Sequence, residues 1–246
     1  MNTERGMFIV IEGLDAVGKT TLTRDLSVAL GAKALRSPPH LIAPSFSEDD
    51  LRLHFDAQSP LMRRAYYRAA NMIASEQARK EIKAGNNVVM DRYWMSTVAY
   101  STLDSSEESG AVNTEYPPEL LVPDIVILLT VNENERIMRM KGRGDPETAE
   151  ENTISELKNR ESVLRAYRQF KPSSVDTSDL DQYGTLEAVL TEISKMKETY
   201  NADDSGDGDS EDGDSEDGEQ TSRAEQIALS ASETGRNPVD TAGNGY

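Results

Sequence analysis

The sequence predicts an α/β domain in which helices flank a parallel sheet, and three observations carry that prediction. Short β-branched runs alternate with longer helical stretches over residues 1–200. The first of these runs leads directly into GLDAVGKT, Gly13–Thr20, whose spacing is that of a phosphate-binding turn between a strand and a helix. From Asn201 the composition shifts to NADDSGDGDSEDGDSEDGEQ, in which almost nothing can be buried.

In chain order, MFIVI at 7–11 reads as a buried strand and Lys19–Leu30 as the helix after it, closed by Gly31. A weaker strand is predicted at Ala32–Leu35. The clearest helix has Ser59 as its N-cap, Pro60 at its first position and Gly85 just past its end. NVVM at 87–90 and DIVILLTV at 124–131 are further strands, and a weak one is expected at Ser174–Asp176. Helices are predicted at Glu133–Met140, Glu151–Phe170 and Thr185–Tyr200. The expectation is therefore one α/β domain with a parallel sheet over residues 1–200, followed by a disordered acidic tail, rich in Asp, Ser, Glu and Gly, over 201–246. GDSED occurs twice in tandem in that tail, but the frame with Gly at its sixth position and Glu at its twelfth, 208–219, opens on Gly208 instead of the Asp of a calcium loop, so a solvated tail that aids solubility is expected.

Composition excludes several functions. The 246-residue chain carries a formal charge of −18, of which the tail contributes −11. A sequence pI near 4.5 argues against a protein that coats nucleic acid, while leaving room for a local basic site that binds a small phosphate compound. Without cysteine there is no disulfide, thiolate metal site or cysteine nucleophile, and two histidines leave little for a His-rich metal cluster. No apolar run approaches the roughly 18 residues of a membrane span, so a soluble protein with no membrane partner is expected. MNTERGM leaves no room for an Arg-rich presequence before the first strand, which makes the cytoplasm the direct reading.

The phosphate-binding turn is the strongest motif. Its glycines let backbone N–H groups of Gly13, Leu14, Asp15, Ala16, Val17 and Gly18 turn toward an anion, and the helix that begins with Lys19, Thr20 and Thr21 presents its positive end. Lys19 is placed to reach the β- and γ-phosphates and the Thr20 hydroxyl to ligate Mg²⁺. A GTPase would need an N-K-x-D base-reading motif, which is absent; a motor or large ATPase would need a longer chain. The strand NVVM leads instead into DRYWMSTVAY, residues 91–100.

IEGLDAVGKTT (11–21), VVMDRYWMSTVAYS (88–101), PELLVPDIVILLTV (118–131) and ERIMRMKGRG (135–144), in that order, resemble the thymidylate kinase-like family of nucleoside monophosphate kinases. RSPP (36–39), RRAYYRAAN (63–71), the Trp of DRYW and KGRGDPETAEE (141–151) are most similar to its mitochondrial-type UMP/CMP kinase branch. The resemblance covers about residues 6–198 and implies a P-loop kinase fold with a five-stranded parallel sheet flanked by helices, ATP and Mg²⁺, a nucleoside monophosphate acceptor, an Arg-rich lid, a possible homodimer and a possible mitochondrial location.

Residue by residue, the resemblance puts Asp15 facing the acceptor sugar and magnesium waters, against a turn-stabilising role. Asp91 ends a buried strand where a carboxylate reaches the metal's water shell, and Arg92 beside it would hold the acceptor phosphate. Tyr93 and Tyr100 are candidates to line the acceptor pocket or to sit in the core; Ser96 reads as a cap or packing residue. Ala16 and Val17 stand where some relatives carry a basic P-loop residue. That absence goes with a catalytic lid arginine, which favours Arg143 and Arg139 over Arg136, against a solvated helix face for the latter two. The family's Phe-Pro-x-Arg segment is replaced by Ser37-Pro38-Pro39-His40, so the role of its arginine passes to Arg63, Arg64 or Arg68 on the long helix. Asn71 stands where thymidylate kinases place a thymine-reading Arg. Its amide both donates and accepts, which suits uracil or cytosine, against an Asn on a helix surface. The expected activity is ATP-dependent phosphorylation of UMP, CMP and their deoxy forms. The alternatives are dTMP or deoxynucleoside kinase activity, or an inactive nucleotide-binding regulator.

Overall fold

The structure is a computed structural model that describes residues 5–39, 54–55, 57–104, 111–142 and 149–204. The expectations for His40, Arg143 and the acidic tail from Ser205 onward lie outside the described residues. The element order is β1 (Phe8–Gly13), α1 (Lys19–Ala29), β2 (Lys33–Arg36), α2 (Pro60–Lys83), β3 (Val88–Asp91), α3 (Trp94–Ser101), β4 (Ile125–Thr130), α4 (Glu133–Gly142), α5 (Ala149–Ser155), α6 (Leu157–Gln169), β5 (Ser173–Asp176) and α7 (Gln182–Asp204).

The five strands are parallel in the order β2-β3-β1-β4-β5. β1 is central: the chain runs from it to β2 and β3 on one side, then crosses to β4 and β5 on the other. The loop after β1 therefore lies where the strand order reverses, the point at which open α/β sheets leave a crevice at their carboxyl ends. Every residue of β1 is buried, and its side chains alternate between two layers. Ile9 and Ile11 pack with Leu22 and Leu26 of α1, Tyr167 of α6 and Ile193 of α7; Phe8 and Val10 pack with Ala74, Ala78 and Ile82 of α2. Each fully buried aliphatic side chain of this kind contributes about 1.5–3 kcal/mol.

α2 starts as its sequence dictates: the Ser59 hydroxyl accepts from the Met62 N–H at 3.4 Å and Pro60 holds the first position. Ala70, Ala74, Ala78 and Ile82 recur every four residues on the buried face, and their small size lets the helix lie close to the sheet.

Several boundaries differ from expectation. β2 is displaced by one residue, and the single helix expected over Glu151–Phe170 is two, α5 and α6, separated by an extended Glu156 at ψ 128°. The Asn159 side chain donates to the Thr153 carbonyl at 3.0 Å and Arg160 to that of Ser155 at 3.1 Å, so the carbonyls at the end of α5 find side-chain donors instead of a continued helix. α7 begins three residues earlier than expected, because Asp181 accepts from the N–H of Gly184 at 2.7 Å, and it continues to Asp204, past the boundary expected at residue 200.

Candidate active site

β1 delivers the chain to Gly13 and α1 resumes it at Lys19, so the P-loop spans the crevice. Gly13 has φ +143°, and a Cβ there would stand 2.6 Å from the Leu129 carbonyl oxygen; only glycine fits. Gly18, at φ +102°, precedes α1 with no side-chain cap, and a Cβ built on it meets nothing within 4 Å. The first-turn N–H groups of α1, from Lys19, Thr20 and Thr21, thus have no side chain capping them, which is the arrangement that receives an anion. Ala16 holds a left-handed φ of +67° without being glycine, a strain of about 1–3 kcal/mol that persists only where the surroundings enforce it.

Lys19 is 6% exposed, and its Nζ donates to the Leu14 carbonyl at 2.6 Å, across the mouth of the loop. Burial, and then the neighbouring Arg92, pull its pKa down to about 8, against Asp15, Asp91 and Glu12, which favour the charged form. A phosphate placed in the loop would add negative charge beside this amine and favour its charged form.

Thr20 and Asp91 meet directly: the threonine hydroxyl donates to Asp91 Oδ2 at 2.6 Å. Asp91 Oδ1 is buried and has no hydrogen-bond partner. An orphaned carboxylate oxygen beside a hydroxyl fits a hard cation, and no group of three or more acidic or histidine side chains converges among the described residues. One carboxylate and one hydroxyl, completed by water and phosphate oxygens, is a donor set suited to Mg²⁺.

Arg92 follows Asp91 with a left-handed φ of +64°, and its backbone N–H donates to the Ile11 carbonyl at 3.0 Å. Its guanidinium is ion-paired with Asp15 of the P-loop, approaches the Ser96 hydroxyl at 3.2 Å and the Gly13 carbonyl at 3.4 Å, and lies 5.4 Å from the Tyr100 ring centroid. The Tyr100 hydroxyl donates to Asp15 at 3.2 Å. Burial alone would raise the Asp15 pKa, but Arg92 and then Lys19 outweigh it and hold the carboxyl well below the usual range. Asp15 is therefore an ionised partner for Arg92 rather than a local turn residue. Tyr93 is a core residue: it is 1% exposed and packs edge-on to Phe8 at 5.4 Å. Trp94 is half-buried, and its indole N–H donates to the Glu115 carbonyl at 3.0 Å.

Arg64, Arg68 and Asn71 recur at i, i+4 and i+7 on α2 and so share one face. Arg63 pairs with Asp104, Arg64 reaches the same carboxylate only at 3.8 Å, and Arg68 pairs with Glu119. Asn71 is 1% exposed, so it is no surface residue. Its Oδ1 accepts from Ser37 at 2.6 Å and its Nδ2 donates to Thr97 at 2.8 Å. One amide proton and one lone pair are left over.

On the β4 side, Arg139 of α4 bonds Glu135 at 3.0 Å, the Thr177 carbonyl at 2.9 Å and the P-loop carbonyl of Val17 at 3.4 Å. The alternative of a solvated helix face fails for Arg136, which is 1% exposed and gripped by Glu133 through two bonds of 2.8 Å. A cavity of about 520 Å³ runs from Leu14 and Val17 past Thr130 to Arg160 and Arg168 of α6.

Two buried polar residues of the site are not apparent from the sequence. Glu12, fully buried at the end of β1, accepts from the N–H groups of Tyr93 at 3.0 Å and Ser96 at 3.2 Å and from the Ser96 hydroxyl at 2.5 Å. Burial raises its pKa, opposed by Ser96 and Arg92. Tyr167 of α6 places its hydroxyl 2.8 Å from Ser96 Oγ and 3.5 Å from the Gly13 carbonyl. A charged residue closing the apolar run FIVIEG was the available signal for Glu12; Tyr167, 71 positions beyond Ser96, left none.

Comparison with known proteins places these features. Human UMP-CMP kinase 2, mitochondrial, is 38% identical over 158 residues, which are 60% of this chain and 33% of that protein, so the chain spans a third of that relative's length. A probable thymidylate kinase 1 from Saccharolobus solfataricus is 31% identical over 191 residues, covering 76% of this chain and 96% of its own. Among solved structures, thymidylate kinase from Candida albicans shares the fold at a TM-score of 0.60 with 18% identity, over 78% of this chain and 93% of that one. Deoxyadenosine kinase from M. mycoides does so at 0.54 with 21% identity, over 77% and 100%. The thymidylate kinase family model matches residues 11–182, from within β1 to the first residue of α7. With the P-loop, Asp91 and Arg92 all inside that span, the chain belongs to the thymidylate kinase family.

Proposed function

We propose that this protein transfers the γ-phosphoryl group of ATP to pyrimidine nucleoside monophosphates, UMP and CMP and their deoxy forms, with Mg²⁺ as cofactor. The observation that carries this reading is the ion pair of Asp15 and Arg92, which sets a fixed cation beside a phosphate cradle whose own Lys19, Thr20 and Asp91 are all in place. A nucleotide-binding regulator has no need of that second cation, and a degenerate kinase would have lost some of the set.

Phosphoryl transfer calls for alignment and charge stabilisation more than for covalent help. The bond between the γ-phosphorus and its bridging oxygen breaks as an oxygen of the acceptor phosphate bonds to that phosphorus, giving ADP and a nucleoside diphosphate. The acceptor phosphate is already ionised, so no general base is required. Thr20 and Asp91 would hold Mg²⁺, which neutralises phosphate charge when bound. Lys19 moves from the Leu14 carbonyl to the phosphates, and Arg92 orients the acceptor. Arg139, already against the P-loop, and Arg143 are the proposed transition-state arginines. Arg64, with its long contact to Asp104, is the most loosely held candidate for the acceptor phosphate on α2, and Arg68 stands one turn on. Catalysis is assigned to residues 1–204, with the acidic tail outside it. Among the described residues no helix is long and apolar enough to cross a membrane, and an aqueous compartment, cytosol or mitochondrial matrix, is the reading here.

The acceptor base is assigned to Asn71. Its free N–H and lone pair satisfy either the 4-carbonyl of uracil or the 4-amine of cytosine, and a site that strands no buried polar group discriminates weakly. Initial rates with ATP and a panel of UMP, CMP, dUMP, dCMP, dTMP and AMP test this. Uridine and cytidine acceptors are expected within about a hundredfold of each other, with AMP poorest. The relatives named thymidylate kinase support dTMP as a second reading; a strong preference for dTMP over every other acceptor would establish it in place of the first.

A further inference from the structure

The carboxyl of Glu12 and the hydroxyl of Tyr167 are buried at the floor of the site, and no step of the proposed transfer uses either. They meet at Ser96. A serine hydroxyl has one proton and two lone pairs. Donating that proton to Glu12 at 2.5 Å leaves Ser96 Oγ to accept from Tyr167 at 2.8 Å and from Arg92 Nη1 at 3.2 Å, so its capacity is filled. Glu12 also ties down the two N–H groups that follow Arg92 at the start of α3, those of Tyr93 and Ser96. The left-handed backbone at Arg92, a strained state for a non-glycine residue, is thus clamped from both sides: by its own N–H on Ile11 and by the Glu12 carboxylate on the next turn.

We infer that Glu12 and Tyr167, acting through the Ser96 hydroxyl, are positioning residues that fix where the Arg92 guanidinium stands for the acceptor phosphate. The inference rests on the kinase reading above. Strand β1, helix α3 and helix α6 each contribute one member, so the position of Arg92 is set by three separately packed elements rather than by its own flexible side chain. A guanidinium held in advance loses less side-chain freedom when it engages a phosphate.

The test is a double-mutant cycle read by calorimetric binding of the preferred monophosphate of the acceptor panel and, separately, of ATP. Tyr167→Phe keeps the ring and removes only the hydroxyl. It should weaken monophosphate binding about five- to tenfold, the worth of one lost polar contact, leave ATP affinity within about twofold, and add nothing in an Arg92→Ala background. Ser96→Ala should reproduce the loss, with Tyr167→Phe again adding nothing to it. Glu12→Gln keeps the shape and should act in the same direction. Unchanged monophosphate affinity in a folded Tyr167→Phe protein, or an equal loss with and without Arg92, would overturn the inference. Wild-type protein that binds no monophosphate would overturn the kinase reading itself, and the two failures are distinguished by the wild-type titration.

Discussion

Lys19→Ala is expected to lower the turnover of phosphoryl transfer by roughly a thousandfold while leaving the melting temperature unchanged or raised. The first half rests on electrostatics: in the proposed transfer this amine is the P-loop's cation for the transferring phosphate, and a donor aimed at charge that develops in the transition state is worth about a hundred- to a thousandfold in rate. The second half rests on linkage. The folded-state pKa of about 8 lies below the ordinary lysine value, so charging Lys19 costs free energy in the folded protein. Between about pH 8 and the unfolded-state pKa near 10.4 the unfolded chain binds more protons, and stability contributed by this group rises with pH. Below pH 8 the cost is present in full, and removing the amine relieves it. Steady-state rates and calorimetric melting at pH 7 check both halves; a folded variant that turns over like wild type would remove Lys19 from the mechanism.

Arg92→Ala should raise the KM for the acceptor monophosphate by about a hundredfold or more and leave the KM for ATP within a few-fold. Hydrogen bonds to charged groups contribute about 1.5–3 kcal/mol each, and a guanidinium offers two in parallel to one phosphate. The same change strands Asp15, whose low pKa depends on Arg92, so the acceptor side loses its cation and keeps an anion. Arg92→Lys is expected to recover little, because the guanidinium meets Asp15, Ser96 and Gly13 through separate nitrogens of a rigid planar fork, whereas an ammonium is a compact point charge. Paired KM measurements for the two substrates decide the matter. Equal increases for both would place Arg92 on the donor side instead.

Much of this could be read in the chain because each signal was local. The apolar run of β1, the GLDAVGKT turn and the Ser59-Pro60 start of α2 each specify their own geometry within a few residues, and the structure follows them. Asp91 and Arg92 were legible because they close a buried strand, where parallel sheets place ligands. Signals that depend on distant partners were not legible. The helical pattern runs unbroken through Glu156, and only the Asn159 and Arg160 side chains, turning back on the carbonyls of α5, reveal the break. Asn71 could be placed by its spacing, yet its burial between Ser37 and Thr97 depends on β2 and α3 arriving on either side of α2. Arg136 read either as a lid arginine or as one of a solvated i,i+3 Arg pair, and its burial against Met140 with Glu133 as counter-ion rests on packing that spacing does not reveal. Glu12 and Tyr167 acquire meaning only once three elements converge on Ser96.

If the cradle and the Arg92 cation serve two substrates in one transfer, the two products must appear together. Incubating the protein with ATP, Mg²⁺ and the preferred monophosphate, and quantifying ADP and nucleoside diphosphate in the same samples, tests this most directly. One diphosphate formed per ADP is expected, with negligible ADP when the monophosphate is left out. ADP released at the same rate without any acceptor, or no ADP with any member of the panel, would contradict it.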